Sequence, residues 1–190
     1  DPAFTAAYFD QQSRYAYGRQ PEAALWALCR LADCFLYVVK QNALQEVLAT
    51  FYPKMEEALA HRLVWRLGFK KVPVEEAGRF ANQFFQAAKA SHYGWDALFQ
   101  DLYAGYLSSD DKRWKEHPEL AGLLDVVSKM VPRQSQEIAN RLKSDPLVSL
   151  EISVVENAWE AIATLDDWSR LHALIDRIRA HGILLRQESV

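Results

Sequence analysis

Between Leu44 and Leu63, apolar residues return every three or four positions: Leu44, Val47, Leu48, Phe51, Met55, Leu59 and Leu63. That spacing lines one face of an α-helix, whereas a half-buried strand needs alternation at every second residue. The same rhythm recurs along most of the chain, and no run alternates for long enough to be a convincing strand. The fold is therefore expected to be all-α, with about eight helices in 190 residues. No fixed-period repeat appears, so a solenoid is not expected.

The helices can be placed from their apolar stripes and breakers. The first is predicted over residues 20–40, with Leu25, Leu28, Ala32, Phe35, Leu36 and Val39 as its stripe. The second spans 44–67, with Pro53 expected to kink it or split it in two. Gly68 is the expected residue just past its end. A third runs over 74–90, carrying Phe80, Phe84, Phe85 and Ala88. After a turn at 92–94, a fourth turns Trp95, Leu98, Phe99, Leu102 and Tyr106 inward. Ser108–Asp111 reads as a loop. Pro118 opens a helix that Pro132 ends, and a short polar helix covers 134–142. Beyond the Asp145–Pro146 break, Leu150, Val154, Val155, Trp159 and Ile162 mark another. Asp166 or Asp167 caps a last helix that buries Trp168, Leu171, Leu174, Ile175 and Ile178 and stops at Gly182.

Half the residues are hydrophobic and 12% are aromatic, six of them Trp, which supplies a core and argues against disorder. The length suits one helical domain over 1–190: an opening segment 1–20, N-terminal helices 21–107 and C-terminal helices 108–190. The formal net charge of -3 gives no bulk positive field, so a nucleic-acid partner is not expected. No stretch approaches the roughly 18 apolar residues of a membrane span, and no signal peptide is visible. Cys29 and Cys34 lie on the first predicted helix, where their side chains diverge by roughly 140°. Two free thiols suit a reducing, cytoplasmic compartment. A first residue other than Met suggests a processed product or a piece of a longer chain.

No self-contained catalytic set emerges. There is no phosphate-binding glycine loop, nucleophile elbow or His-Glu-x-x-His motif. Glu57 and His61 read as a surface i,i+4 pair. His92 and His117 fall in turns, and His172 and His181 do not form a metal pair. Asp110–Asp111 lacks the further carboxylate a calcium loop needs, and Lys70–Lys71, Lys112–Arg113 and Arg177/Arg179 read as solvated faces. No catalytic, cofactor-binding or metal residue is assigned in this chain.

The segment Arg14-Tyr15-Ala16-Tyr17-Gly18-Arg19-Gln20-Pro21-Glu22-Ala23-Ala24-Leu25-Trp26 is the most distinctive stretch. It is an aromatic, basic loop that runs into a helix start, with Pro21 in the first turn and Glu22 beside the positive end of the dipole. Local chemistry allows a structural role or the holding of an anion or a neighbouring surface.

That segment, continuing through Leu28 and Arg30-Leu31-Ala32, resembles the selenoprotein O family, the pseudokinase-fold protein adenylyltransferases that include bacterial YdiU-type proteins. Asp1-Pro2-Ala3-Phe4-Thr5 is similar to the stretch after the family's metal-binding Asp-Tyr-Gly motif, and Leu67-Gly68-Phe69 to its Leu-Gly-Leu/Phe turn. Val155–Ile162 with Asp166-Asp167-Trp168 is similar to the C-terminal end of some bacterial members. One departure is Ala27, where the family usually carries Asn.

The resemblance implies ATP and magnesium for a full-length member, which transfers AMP to protein hydroxyls. The nucleotide and metal ligands it would require precede the matched region, so none carries over. It therefore implies a C-terminal helical region, inactive alone, whose partner is the missing N-terminal catalytic region or another protein surface. Arg14, Tyr15, Tyr17, Gln20 and Trp26 are the residues expected at that docking seam. The alternative is a free-standing helical protein-binding module, with self-association possible. A large exposed apolar patch would favour the first reading, and its absence the second.

Overall fold

The computed structural model describes residues 3–5, 9–105, 114 and 116–187. Among these the chain is all-α. A short 3-10 turn, Tyr17–Arg19, leads into α1 (Gln20–Cys34), followed by α2 (Gln41–Ala49), α3 (Phe51–Arg66), α4 (Val74–Ser91) and α5 (Trp95–Asp101). Two further 3-10 turns, Tyr103–Gly105 and Pro118–Leu120, precede α6 (Ala121–Lys129), α7 (Gln136–Ser144), α8 (Ile152–Leu165) and α9 (Ser169–Arg186). The described residues contain no strand, only an isolated antiparallel bridge between Phe69 and Pro132. Tyr106, the Ser108–Asp111 loop and Lys112–Arg113 lie outside the described residues.

The chain forms two compact units, Asp1–Ala58 and Leu59–Val190, with the division inside α3. In the first unit α1 packs on α2, yet neither helix contains a buried residue. The predicted stripe of the first helix is therefore not covered: Leu25 and Ala32 are half-buried, and Leu28, Phe35, Leu36 and Val39 are exposed. That helix also ends at Cys34 rather than near residue 40. Phe35 N–H turns back to Ala32 O and Val38 N–H to Phe35 O, tightening the chain into successive turns. Phe35, Tyr37, Val38 and Val39 are modest helix formers, and none of them is buried.

The long second helix is split, as Pro53 suggested, but the break falls at Thr50. Thr50 folds its hydroxyl onto Val47 O at 2.8 Å. Pro53 then sits in the first turn of α3, where a missing N–H costs nothing.

The second unit holds the core. Ala60, Leu63, Val64 and Leu67 meet Phe69, then Ala77, Phe80, Ala81, Phe84 and Ala87 of α4, Leu98 and Phe99 of α5, and Leu120, Leu123 and Val127. Phe84 is fully buried, with the Phe99 ring 5.1 Å and the Trp95 ring 5.8 Å away. Trp95 itself stays 41% exposed, contrary to its expected inward position. α3 ends as expected at Gly68, whose φ of +80 suits glycine. Gly68 N–H bonds Trp65 O at 3.0 Å and Phe69 N–H bonds Val64 O at 3.1 Å, a Schellman closure with Val64 and Phe69 both in the core.

A smaller cluster joins Tyr103, Ala104, Ala139, Leu142 and Leu184. It explains why α9 passes through Gly182 instead of stopping there. Leu184 is buried, and the carbonyls at the helix end are taken by Arg133 and Gln134. Gln134 Nε2 donates to Leu184 O at 2.8 Å, and Arg133 Nη2 to Leu185 O at 2.7 Å. At the other end, Asp167 Oδ1 accepts from Ser169 N–H at 2.9 Å, the expected capping carboxylate. Trp168, expected inside, is 47% exposed, and its indole N–H bonds Asp166 instead.

Candidate functional site

The distinctive opening loop is built around a carboxylate that the sequence reading did not single out. Asp10 accepts the backbone N–H of Arg14 at 2.9 Å and of Tyr15 at 2.7 Å. Ser13, at a left-handed φ of 52, turns the chain so that both amides converge on it. The Tyr15 amide is the main cause that holds the Asp10 carboxyl below its usual range. So the anion for which this loop is shaped is its own Asp10. A short acidic residue followed by the polar run Gln11-Gln12-Ser13 was the available signal.

The loop is tied in three further ways. Tyr17 N–H donates to Phe4 O at 2.9 Å, Ala16 is 1% exposed, and Arg19 grips Glu22 with two bonds of 2.9 Å. The Glu22 pairing raises the Arg19 pKa, and Arg19 in turn lowers that of Glu22. The two side chains join the residue before α1 to its first turn, next to Pro21.

These ties leave the aromatic side chains outside. Tyr15, Tyr17 and Trp26 are each more than half exposed, and Arg14 and Gln20 lie at the surface. The exposed set continues along the unit through Leu28, Leu31, Phe35, Leu36, Tyr37 and Val38. At 100° per residue, Leu28, Leu31 and Phe35 fall on one face of α1, while half-buried Leu25, Cys29 and Ala32 fall on another. Together they form one broad apolar arc, of which only part is covered. Cys29 and Cys34 are free thiols.

In the second unit a cleft of about 40 Å³ is lined by Arg66, Asp96, Phe99, Gln100, Tyr103 and His181, among others. Arg66 lies 3.5 Å from Asp96 and stacks 4.0 Å from the centre of the Phe99 ring. Gln100 Nε2 reaches the carbonyls of Leu142, Lys143 and Asp145, closing the end of α7. Burial lowers the His181 pKa, with Arg66 acting in the same sense and Asp145 against it. The space admits a few water molecules and is far too small for a nucleotide. The described residues also bring no three His, Cys, Asp or Glu together as a metal site. No chemical step is assigned to that cleft.

Three of the other four histidines have structural settings, and His172 is exposed. His61 is half-buried, with Nε2 3.2 Å from Val72 O, a bond that places the proton on Nε2. His92 takes the left-handed position at the end of α4. His117 meets the edge of the Tyr93 ring, whose other neighbour is Trp114. No helix among the described residues is long and apolar enough to cross a membrane.

What these features define is an all-helical chain whose ordered opening loop leaves Tyr15 and Tyr17 exposed. The family model for protein adenylyltransferase SelO matches residues 1–179, and the chain belongs to that family. Among similar proteins is the protein nucleotidyltransferase YdiU of Gloeobacter violaceus, 29% identical over 199 residues, covering 94% of this chain and 40% of the relative. That of Trichormus variabilis is 25% identical over 207 residues, covering 96% of this chain and 41% of the relative. That of Trichodesmium erythraeum is 26% identical, with 94% and 40% covered. The chain thus spans about 40% of the length of the curated relatives it matches.

Proposed function

We propose that this chain is the helical region that follows the catalytic core of a SelO-type protein adenylyltransferase, and that it packs on that core without catalysing AMP transfer alone. The observation that carries the reading is the first unit, where α1 and α2 bury no residue and Trp26, Leu28, Leu31, Phe35 and Tyr37 stand exposed. An uncovered face of that size belongs to a surface with a partner, which weighs against a free-standing module. The 40% span of the relatives supports a partner within the same protein. On this reading Arg14, Tyr15, Tyr17, Gln20 and Trp26 lie at the seam, held outward by the Asp10 nest and the Arg19–Glu22 clamp. ATP and magnesium belong to the catalytic region, and the compartment is the cytoplasm, which keeps Cys29 and Cys34 reduced.

Phosphoryl and nucleotidyl transfer need positioned metal and phosphate ligands. Titration of residues 1–190 with ATP and magnesium should therefore give no saturable binding, and a protein acceptor should gain no AMP. Transfer of AMP by this chain alone would overturn the proposal.

A further inference from the structure

We infer that the outer face of α8 is a docking surface for a basic amphipathic helix of a partner protein. α8 carries apolar residues on two faces. Ala158 and Ala161 are buried, and α8 packs on α9. Ile152, Val155 and Trp159 form a separate stripe at i, i+3 and i+7, with Trp159 62% exposed, and Leu150 just ahead of the helix adds to it.

The charge beside that stripe has one sign. Glu156 and Glu160 follow Ile152 by one and two turns along its flank, Glu151 precedes the helix, and Asp166 and Asp167 follow it. Residues 152–165 contain no Lys or Arg. The next cation along the chain, Arg170 of α9, is engaged with Asn157 O and Oδ1, both at 3.2 Å. An occupant must therefore offer apolar side chains at helical spacing with Lys or Arg on one flank. The stripe is four side chains long and one wide, whereas a stable interface between two copies takes about 800 Å² from each. A stripe of that width suits one docked helix, with Trp159 as the large side chain it would meet.

The test uses the 190-residue chain and a labelled synthetic Leu/Lys amphipathic peptide, followed by fluorescence anisotropy, with a Leu/Glu peptide as control. The Leu/Lys peptide should bind saturably, at least about tenfold tighter than the control. Trp159→Ala should weaken binding about tenfold or more. A Glu156→Lys/Glu160→Lys variant should weaken it similarly and flatten its salt dependence. All three positions are exposed, so unchanged circular dichroism should accompany both variants. No binding, equal binding of the two peptides, or indifference to both variants would overturn the inference. So would a dimer in sedimentation that Trp159→Ala dissociates, which assigns the face to a second copy. Loss of peptide binding when the chain is joined to the rest of its protein would assign the face to that region and equally overturn it.

Discussion

Gly68 ends α3 at a φ of +80, and a Cβ there would lie 2.7 Å from Tyr103 Cζ and 2.8 Å from Cε1. The ring cannot step aside cheaply: Tyr103 is 3% exposed, and its hydroxyl donates to Gln134 Oε1. Gln134 in turn holds the end of α9 through Leu184 O. Placing an L-residue in the left-handed region costs about 1–2 kcal/mol, and overfilling a packed core costs about 1–3 kcal/mol. Gly68→Ala should thus destabilise the second unit by about 2–5 kcal/mol, read as a shift in the urea midpoint by circular dichroism. A double-mutant cycle with Tyr103→Leu separates the two causes. Removing the ring should recover about 1–3 kcal/mol of the Gly68→Ala loss, the overlap share, and leave the backbone share. A Gly68→Ala loss below about 0.5 kcal/mol, or a coupling of zero, would refute the reasoning.

Burial pushes the Tyr103 hydroxyl up to about 12 from its ordinary 10.0, so its contribution is complete below pH 10.0 and is lost as pH rises toward 12. Tyr103→Phe should remove that alkaline step, and at neutral pH cost about 1–3 kcal/mol by leaving Gln134 Oε1 without its donor. His181 behaves in the opposite sense. Its folded pKa lies below 6.5, so the unfolded chain binds its proton first, and stability should fall as pH drops below 6.5 and through the lowered value. His181→Asn should flatten that acid slope in thermal melts taken across the range. In the opening loop, Asp10→Ala should speed hydrogen exchange of the Arg14 and Tyr15 amides severalfold while leaving the Phe80 and Phe84 amides unchanged.

Much of the fold was legible because its signals are local. Gly68, Pro53 and Asp167 each mark a helix end by chemistry that acts within one turn, and each lies at a helix terminus. The misplacements at Val39 and Gly182 have a common origin. Whether a modest helix former or a glycine ends a helix depends on what packs against it, and that information lies elsewhere in the chain. Residues 35–39 find nothing buried and turn away, whereas Arg133 and Gln134, some fifty residues distant, extend α9 past its glycine. Periodicity also says which residues share a face, not whether the face is covered, so Leu28, Phe35 and Trp168 looked internal and are not. In the opening loop the aromatic and basic residues drew attention to themselves. Asp10, which organises them, stayed inconspicuous because a single carboxylate ahead of a polar run is common on any surface.

The two units differ in what holds their helices. α4 runs 18 residues and buries Ala77, Phe80, Ala81, Phe84 and Ala87, and removing a side chain such as Phe84 would cost about 3–5 kcal/mol. α1 and α2, at 15 and 9 residues, lie near or below the length at which an isolated helix is marginal in water, and neither has a buried residue to compensate. Propensity supplies part of what burial does not, because α1 carries four Ala and three Leu. Yet the entry to the first unit's helices is carefully tied: Asp10 gathers two amides, and Arg19 clamps Glu22. Such ties orient a helix but supply little of the burial that keeps it folded. A tied entry that leads into helices with no buried residue is the arrangement that the proposed docking seam requires.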